Sequence, residues 1–396
     1  MSSTATRKYT FTALARGACN LFWLLPVVLA GGCSGPQQQG PLTVATALAG
    51  GGNTGYRKAD AVRKFVFPED HGSHPSFKSE WWYFTGNVKT ANGREFGYQF
   101  TIFRNAIRPG GTAAADNAAD TGSHWNTNQI YMAHAALSDI RNGRFYYDEQ
   151  FSRGVLGMAG AVVRPLRVWL NQWSVTGRDN PCQDCFAVEL TVAARDFRLQ
   201  MQLNNTRDVV LHGQQGLSAK SPDPGNASYY YSFVRLQTNG RIIFGDNTYP
   251  VSGDSWFDHE WSSSALARDQ QGWDWFGLQL SNNTEIMLYR LRNDTDAGRD
   301  FYYGSLIQAG SALHTLGGKG IKIHGLDSWL SPVSGVRYPT AWRIDLPGFR
   351  LTVNPKMPNQ ELNTSIRYWE GAVRVSGTAG RGKVTGEGYV ELTGYR

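Results

Sequence analysis

The tightest constraint on this chain is its series of short, aromatic-rich segments punctuated by Asn-Gly pairs. Both residues of a two-residue hairpin turn need positive φ, so Asn-Gly between β-prone flanks is the strongest short-range hairpin signal. Three such pairs occur: Asn92-Gly93 joins 80–88 to 94–104, Asn142-Gly143 joins 129–138 to 144–150, and Asn239-Gly240 joins 229–237 to 241–244. No segment of a dozen residues carries a capped 3.6-residue apolar period, although 262–269 has room for a helical turn or two. With 13 Trp, 18 Tyr and 19 Phe beside 45 Gly, the composition agrees with antiparallel strands. The predicted class is all-β.

Aromatic residues occupy both faces of these segments. In 80–86, Trp82 and Phe84 point one way while Trp81 and Tyr83 point the other. A sheet with one wet face alternates apolar and polar residues. Burial on both sides is therefore expected, as in a barrel wall with a filled or ligand-bearing lumen inside and a second domain outside. The pattern also repeats. Segment 81–88, a turn and 95–104 are echoed by 273–280, Ser281-Asn282-Asn283 and 285–292, with Glu80-Trp81 and Glu260-Trp261 preceding them. Two packed β-barrel domains are expected, 61–248 and 249–396, divided where Asn, Pro and Gly cluster at 247–253.

Chemistry concentrates in Ser255-Trp256-Phe257-Asp258-His259-Glu260-Trp261. On an extended strand Phe257, His259 and Trp261 share one face, and Trp256, Asp258 and Glu260 the other. Desolvation beside indole rings disfavours a carboxylate's charge and makes it a proton donor near neutrality. Aromatic faces stabilise a desolvated cation by about 2 kcal/mol or more. An acid inside a cage of Trp and Tyr is what alkene protonation and capture of the carbocation by water require. The plainer reading pairs Asp258 and Glu260 with arginines at a domain interface and bonds His259 to a backbone carbonyl. Candidate ligand contacts are Glu80, Trp81, Trp82, Tyr83, Trp256, Trp273, Asp274, Trp275, Trp369 and Glu370. His71 and His74 lie in a Gly/Pro loop without an obvious third ligand, so they are expected to bond carbonyls across a barrel mouth, and no metal is expected. Neither a Gly-x-Ser-x-Gly elbow nor a phosphate-cradling loop is present, and no cofactor is expected.

The N-terminus has the features of an export signal. Arg7, Lys8 and Arg16 precede 12 apolar or small residues, 21–32, which end at Cys33. That run is shorter than the roughly 20 residues of a membrane helix, so 1–32 reads as a signal peptide. Cys33 stands where a bacterial lipoprotein carries its acyl chains, and Ser34 after it favours the outer membrane. Segment 33–60, rich in Gly, Gln, Ala and Thr, reads as a flexible linker. Cys182 and Cys185 are expected to close a small disulfide, as is usual outside the cytoplasm. The net charge of +7 includes the three basic residues of the leader and is otherwise scattered, which gives nucleic-acid binding no support.

Several motifs together resemble a known family. Phe67-Pro68-Glu69-Asp70-His71-Gly72 through Glu80-Trp81-Trp82-Tyr83-Phe84-Thr85-Gly86, then Asp258-His259-Glu260-Trp261, Tyr368-Trp369-Glu370-Gly371-Ala372-Val373 and the ending from Gly386 to Tyr395, are similar to the AttH family, lipocalin-like proteins related to carotenoid 1,2-hydratase (hydroxyneurosporene synthase). The resemblance covers about 64–396 and implies two lipocalin-like barrels with hydrophobic ligand space near their interface. It implies a catalytic His-x-Trp, matched by His259 and Trp261, and a Tyr-x-Asp in which Tyr289 matches but Leu291 stands in place of the aspartate. Asp258, Glu260 or Asp274 is then left to supply the acid. The expected function is an exported, lipid-anchored protein facing the periplasm that binds a hydrophobic small molecule, as an accessory to an ABC transport system, since the resemblance includes proteins encoded beside ABC transporters. The alternative is a cofactor-free hydratase or cyclase acting on an isoprenoid-like alkene. A secreted hydrolase is weaker, because no nucleophile–base pair can be assembled.

Overall fold

Alternation with period two, broken by left-handed turn residues, builds the whole molecule. The computed structural model describes residues 42–43, 54–110, 127–178, 186–222, 225–264, 266–267, 269–293, 297–308 and 313–396. Cys33, Cys182 and Cys185, and with them the lipidation and disulfide expectations, lie outside the described residues. The described chain is all-β, two sheets forming one nearly closed barrel and one half-barrel.

The first sheet runs in hydrogen-bonded order Arg144–Arg153, Gln129–Asp139, Glu95–Ala106, Ser79–Lys89, Asn247–Ser262, Ala227–Phe244, Arg198–Asn205, Ala187–Ala193, Trp173–Gly177, Leu166–Leu170, Ala159–Val163. Side chains help to bring its two ends together: Asn171 Nδ2 donates to Gln150 Oε1 at 2.9 Å. The second sheet runs His314–Gly317, Phe301–Gln308, Thr284–Asn293, Gln270–Leu280, Gly382–Leu392, Ile366–Ala379, Phe349–Pro355, Arg337–Leu346, Lys322–Leu330. All of these pairings are antiparallel. Among the described residues no helix is long and apolar enough to cross a membrane.

Two of the three expected hairpins form. Lys89 pairs with Glu95 around Gly93 (φ +79°), and Asp139 pairs with Arg144 around Gly143 (φ +61°). The third does not: Asn239 and Gly240 lie inside the strand Ala227–Phe244, and the chain turns instead at Gly245 (φ +54°), where Phe244 pairs with Asn247. Gly240 serves close approach, since a Cβ there would stand 2.2 Å from Gln200 O. The domain division also moves. Asn247–Ser262 is paired on both sides within the first sheet, and the ladders change over between Ser262 and Gln270, not at 248. Residues 56–60, expected as the end of a spacer, instead lie against the barrel. Ala59 is buried, Tyr56 Oη donates to Ala106 O at 2.9 Å and Arg57 N to Ser76 O at 3.0 Å.

Both faces of Ser79–Lys89 are covered, as its aromatics demand. Trp82 and Phe84 enter the core of the first barrel with Phe100, Trp173 and Phe257. Tyr83 faces the second sheet, in a cluster with Trp256, Trp275, Tyr289 and Tyr389. Each large side chain so removed from water contributes about 1.5–3 kcal/mol. The echoed hairpins correspond in detail, because each ends in a buried arginine paired to an acid on its own hairpin: Arg104 with Glu80 and Arg292 with Asp274.

Candidate active site: an acid cleft between the sheets

Register places four rows of side chains against one another. On the first sheet, Glu260 lies between Trp81 and Tyr230, and Asp258 between Tyr83 and Ser232. On the second, Trp275 lies between Tyr289 and Glu391, and Glu391 is opposite Glu370. These rows face each other across a cleft of about 70 Å³, completed by Trp273, Leu291, Tyr368, Thr101, Phe103 and Lys220. At roughly 10–15 Å³ for each water-sized group, it admits the end of an oily molecule and not the whole of a long one. The first barrel's interior carries the aromatic core, and this cleft lies between the sheets.

Four carboxyls in this apolar enclosure have few neutralising partners. Asp258 accepts from Trp256 Nε1 at 2.6 Å, Tyr230 Oη at 2.7 Å and Ser232 Oγ. Burial nonetheless pushes it up to about 7, against those hydrogen bonds. Burial likewise lifts Glu391 to about 7, opposed by its 2.9 Å bond from Trp273 Nε1. Glu370 is driven well above the usual carboxyl range by burial first and the nearby charge of Glu391 second. Its Oε1 accepts from Tyr83 Oη of the other sheet, while the buried Oε2 has no partner among the described residues. Glu260 differs, because Lys220 Nζ lies 2.6 Å away, itself over the Tyr289 ring at 4.6 Å.

The opposite face of Asn247–Ser262 meets a closed polar network inside the barrel. Fully buried Glu80 holds Arg104 Nε at 2.7 Å, His74 Nδ1 at 2.6 Å and His259 Nε2 at 3.0 Å. His74 Nε2 reaches Asp70 at 3.0 Å, and its ring stacks on Trp261 at 3.7 Å. Tyr231 Oη bonds His71 Nδ1 at 2.6 Å and His259 Nδ1 at 3.1 Å. The two loop histidines thus bond side chains and not the carbonyls expected. Burial opposes a charge on His74, but the carboxylates of Glu80 and Asp70 outweigh it and raise its pKa, whereas burial lowers His259 and takes His71 to about 3. His74, Glu80 and His259 lie close enough to hold a metal ion. Arg104 already neutralises Glu80, however, and every nitrogen of both rings is engaged, so the network is complete without one.

The structure therefore divides the sequence-derived site. Asp258, Glu260, Tyr289, Trp81, Tyr83, Trp273, Trp275 and Glu370 line the cleft, with Trp256 bonded directly behind it. His259, Trp261, Glu80 and Trp82 face the interior of the first barrel. Asp274 turns away from the cleft to Arg292 and Tyr395, and Trp369 enters the second core with its Nε1 on Pro358 O. Leu291 lines the cleft with Tyr289, so the position where the resemblance implies an aspartate carries an apolar side chain. Lys220, Tyr230, Tyr368 and Glu391 were not singled out. Tyr368 and Glu391 could have been found by alternation from Glu370 and Tyr389, but Lys220, on a loop, left no periodic signal.

Fold and cleft together define a lipocalin-like protein whose two β units enclose a buried, acid-lined, aromatic site. The AttH-like family model matches residues 58–395, and the chain belongs to that family. A Nitrosomonas europaea protein assigned as AttH is similar in structure, at 31% identity and a TM-score of 0.75, over 86% of this chain and 100% of that one. Kievitone hydratase from Nectria haematococca shares the fold at 13% identity and a TM-score of 0.65, over 86% and 96% of the two chains. CghA, solved with Sch210972, does so at 10% identity and a TM-score of 0.51, over 87% and 97%. No curated protein sequence matches the chain.

Proposed function

We propose that the protein is a cofactor-free acid catalyst that protonates a carbon–carbon double bond at the end of a hydrophobic molecule and completes the reaction by hydration or ring closure. One observation carries this reading: Glu370 lines an aromatic cleft with a fully buried carboxyl, which desolvation drives well above the usual range and whose Oε2 has no partner among the described residues. The Glu370 O–H bond breaks as a C–H bond forms, and the faces of Trp81, Trp273 and Trp275 stabilise the cation by about 2 kcal/mol or more. Asp258 and Glu391 keep the local charge low while protonated. Water then bonds the cationic carbon and loses a proton, or an internal π bond closes on that carbon. The hydratase among the structural relatives supports the alternative raised from the sequence over simple ligand carriage. The cleft volume favours a branched five-carbon terminus as the reacting part.

The test uses a panel of prenylated phenols and short isoprenoids in H₂¹⁸O, followed by mass spectrometry. Wild type should add ¹⁸O-water to at least one probe or convert it to a cyclic isomer. Glu370→Gln should lower turnover about 10²–10⁴-fold while still binding the probe. A wild type inert to the whole panel, or a Glu370→Gln variant with full turnover, would overturn the proposal. An exported, Cys33-anchored location belongs to this reading on the sequence alone. It predicts a protein extracted from cell envelopes whose N-terminal peptide begins at an acylated Cys33, and an unmodified, soluble product would remove it.

A further inference from the structure

Two residues before Glu370 on the same strand, and therefore on the same face, stands Tyr368. It too lines the cleft and is almost wholly buried. Its hydroxyl does not end in a hydrophobic wall. His134 Nδ1 lies 2.8 Å from Tyr368 Oη, and His134 Nε2 lies 2.9 Å from Glu149 Oε1. His134 is fully buried, whereas the Glu149 side chain is 17% exposed. Ser365 holds that carboxylate with its Oγ at 2.6 Å and its N–H at 3.1 Å. A continuous hydrogen-bonded path thus runs from the cleft wall through a buried imidazole to solvent.

The direction of the path follows from donor chemistry. Burial works against the charge of Glu149, but hydrogen bonds from His134 and Ser365 outweigh it and lower its pKa, so it is an acceptor only. His134 then donates from Nε2, its Nδ1 presents a lone pair, and Tyr368 donates to it. Gln99 Nε2 donates to Tyr368 Oη at 3.5 Å, and the remaining lone pair is left for a group in the cleft. Two residues of a strand span about 6.5–7 Å, close to the separation at which paired acid and base groups leave room for an attacking water.

From this geometry we infer that Tyr368, His134 and Glu149 form the proton exit of the cleft and make Tyr368 the base that receives the proton of the attacking water. This rests on the acid-catalysed reading above. As the water oxygen bonds the cationic carbon, its proton passes to Tyr368 Oη, the Tyr368 proton to His134 Nδ1, and the Nε2 proton to Glu149 and solvent. On product release the chain runs back: a solvent proton returns through Glu149 to His134 Nε2, the Nδ1 proton returns to Tyr368, and the proton that Tyr368 took from water passes through cleft water to Glu370. Each turnover thus adds one water and leaves the protein unchanged.

Two measurements separate this inference from the reading beneath it. The first needs no substrate. ¹⁵N-histidine NMR of the full protein should show His134 protonated at Nε2 with a bare, hydrogen-bonded Nδ1, and Tyr368→Phe should shift the Nδ1 resonance towards that of a free lone pair. A proton on Nδ1, or no response to Tyr368→Phe, overturns the relay. The second uses the prenylated-phenol probe in D₂O and H₂¹⁸O. Reversible protonation washes deuterium into the probe carbon, and hydration introduces ¹⁸O. Glu149→Gln, which keeps the bond from Ser365, should lower ¹⁸O incorporation about tenfold relative to deuterium incorporation. An unchanged ratio overturns the relay while leaving Glu370 in place. Absence of deuterium from the wild-type product overturns the acid reading, and the relay is then judged on the NMR result alone.

Discussion

Glu370 and Glu80 are both fully buried carboxyls, and their surroundings drive them in opposite directions. Glu80 faces Arg104 and two histidines, and despite the cost of burial those partners hold it well below the usual range. Glu370 faces Tyr83 and a second acid, and the one hydrogen bond from Tyr83 is outweighed by its desolvation. The difference sets a pH dependence of stability. Asp258 and Glu391 titrate in the folded protein at about 7, above the ordinary 3.8 and 4.5, so the folded state holds protons that the unfolded chain has lost. Stability from this source is complete below the ordinary values and is lost as pH rises towards 7 and above. Glu80 and Asp70, held low, work the other way, and their contribution is lost in acid. Buried His71 and His212, each lowered to about 3, gain stability over the same interval, so the informative quantity is a difference between variants. In urea unfolding, Asp258→Asn should remove about 2–3 kcal/mol of stability loss between pH 5 and pH 8 relative to wild type. A pH profile of stability that Asp258→Asn leaves unchanged would contradict the assignment of a raised Asp258 to the cleft.

Among the strands and turns, the same dipeptide has two uses. Asn92-Gly93 and Asn142-Gly143 put glycine at positive φ in hairpin turns, while Asn239-Gly240 lies within a strand. Local chemistry favours a turn at all three. At Gly240 pairing on both sides prevails, with Met201 on one flank and Val251 on the other. The absence of a Cβ is used there to admit Gln200 O and Met201. Gly240→Ala should cost about 1–3 kcal/mol by overpacking, read from urea unfolding. A substitution that leaves stability untouched would show that the neighbouring strand yields freely. The period-two pattern correctly assigned Asp258 and His259 to opposite faces. Which face held the empty space could not be read from it, because both carry aromatics and titratable groups.

Across the whole molecule, the cleft exists because the sheets approach closely at places where side chains are small. Gly97 is one: a Cβ there would stand 2.6 Å from both Ala372 Cβ and Tyr389 Oη of the other sheet. Asn87 Nδ2 donates across the same seam to Gly388 O at 3.0 Å. Gly97→Val should force the sheets apart, cost about 1–3 kcal/mol and weaken uptake of a hydrophobic fluorophore such as 8-anilinonaphthalene-1-sulfonate. Undiminished uptake with wild-type stability would place the binding space elsewhere. Strand content, two of the hairpins, the double-sided burial and most of the cleft aromatics were legible in the chain, because turn preference and side-chain alternation act over a few residues. Tertiary structure alone decided that Tyr83 would meet Glu370 across 287 residues and His134 would meet Tyr368 across 234. It also decided that the His-x-Trp pair would be sealed inside a barrel while its neighbouring acids face the cleft. Such pairings depend on how two finished sheets dock, and docking is set by the shapes of whole surfaces that no local window of sequence contains.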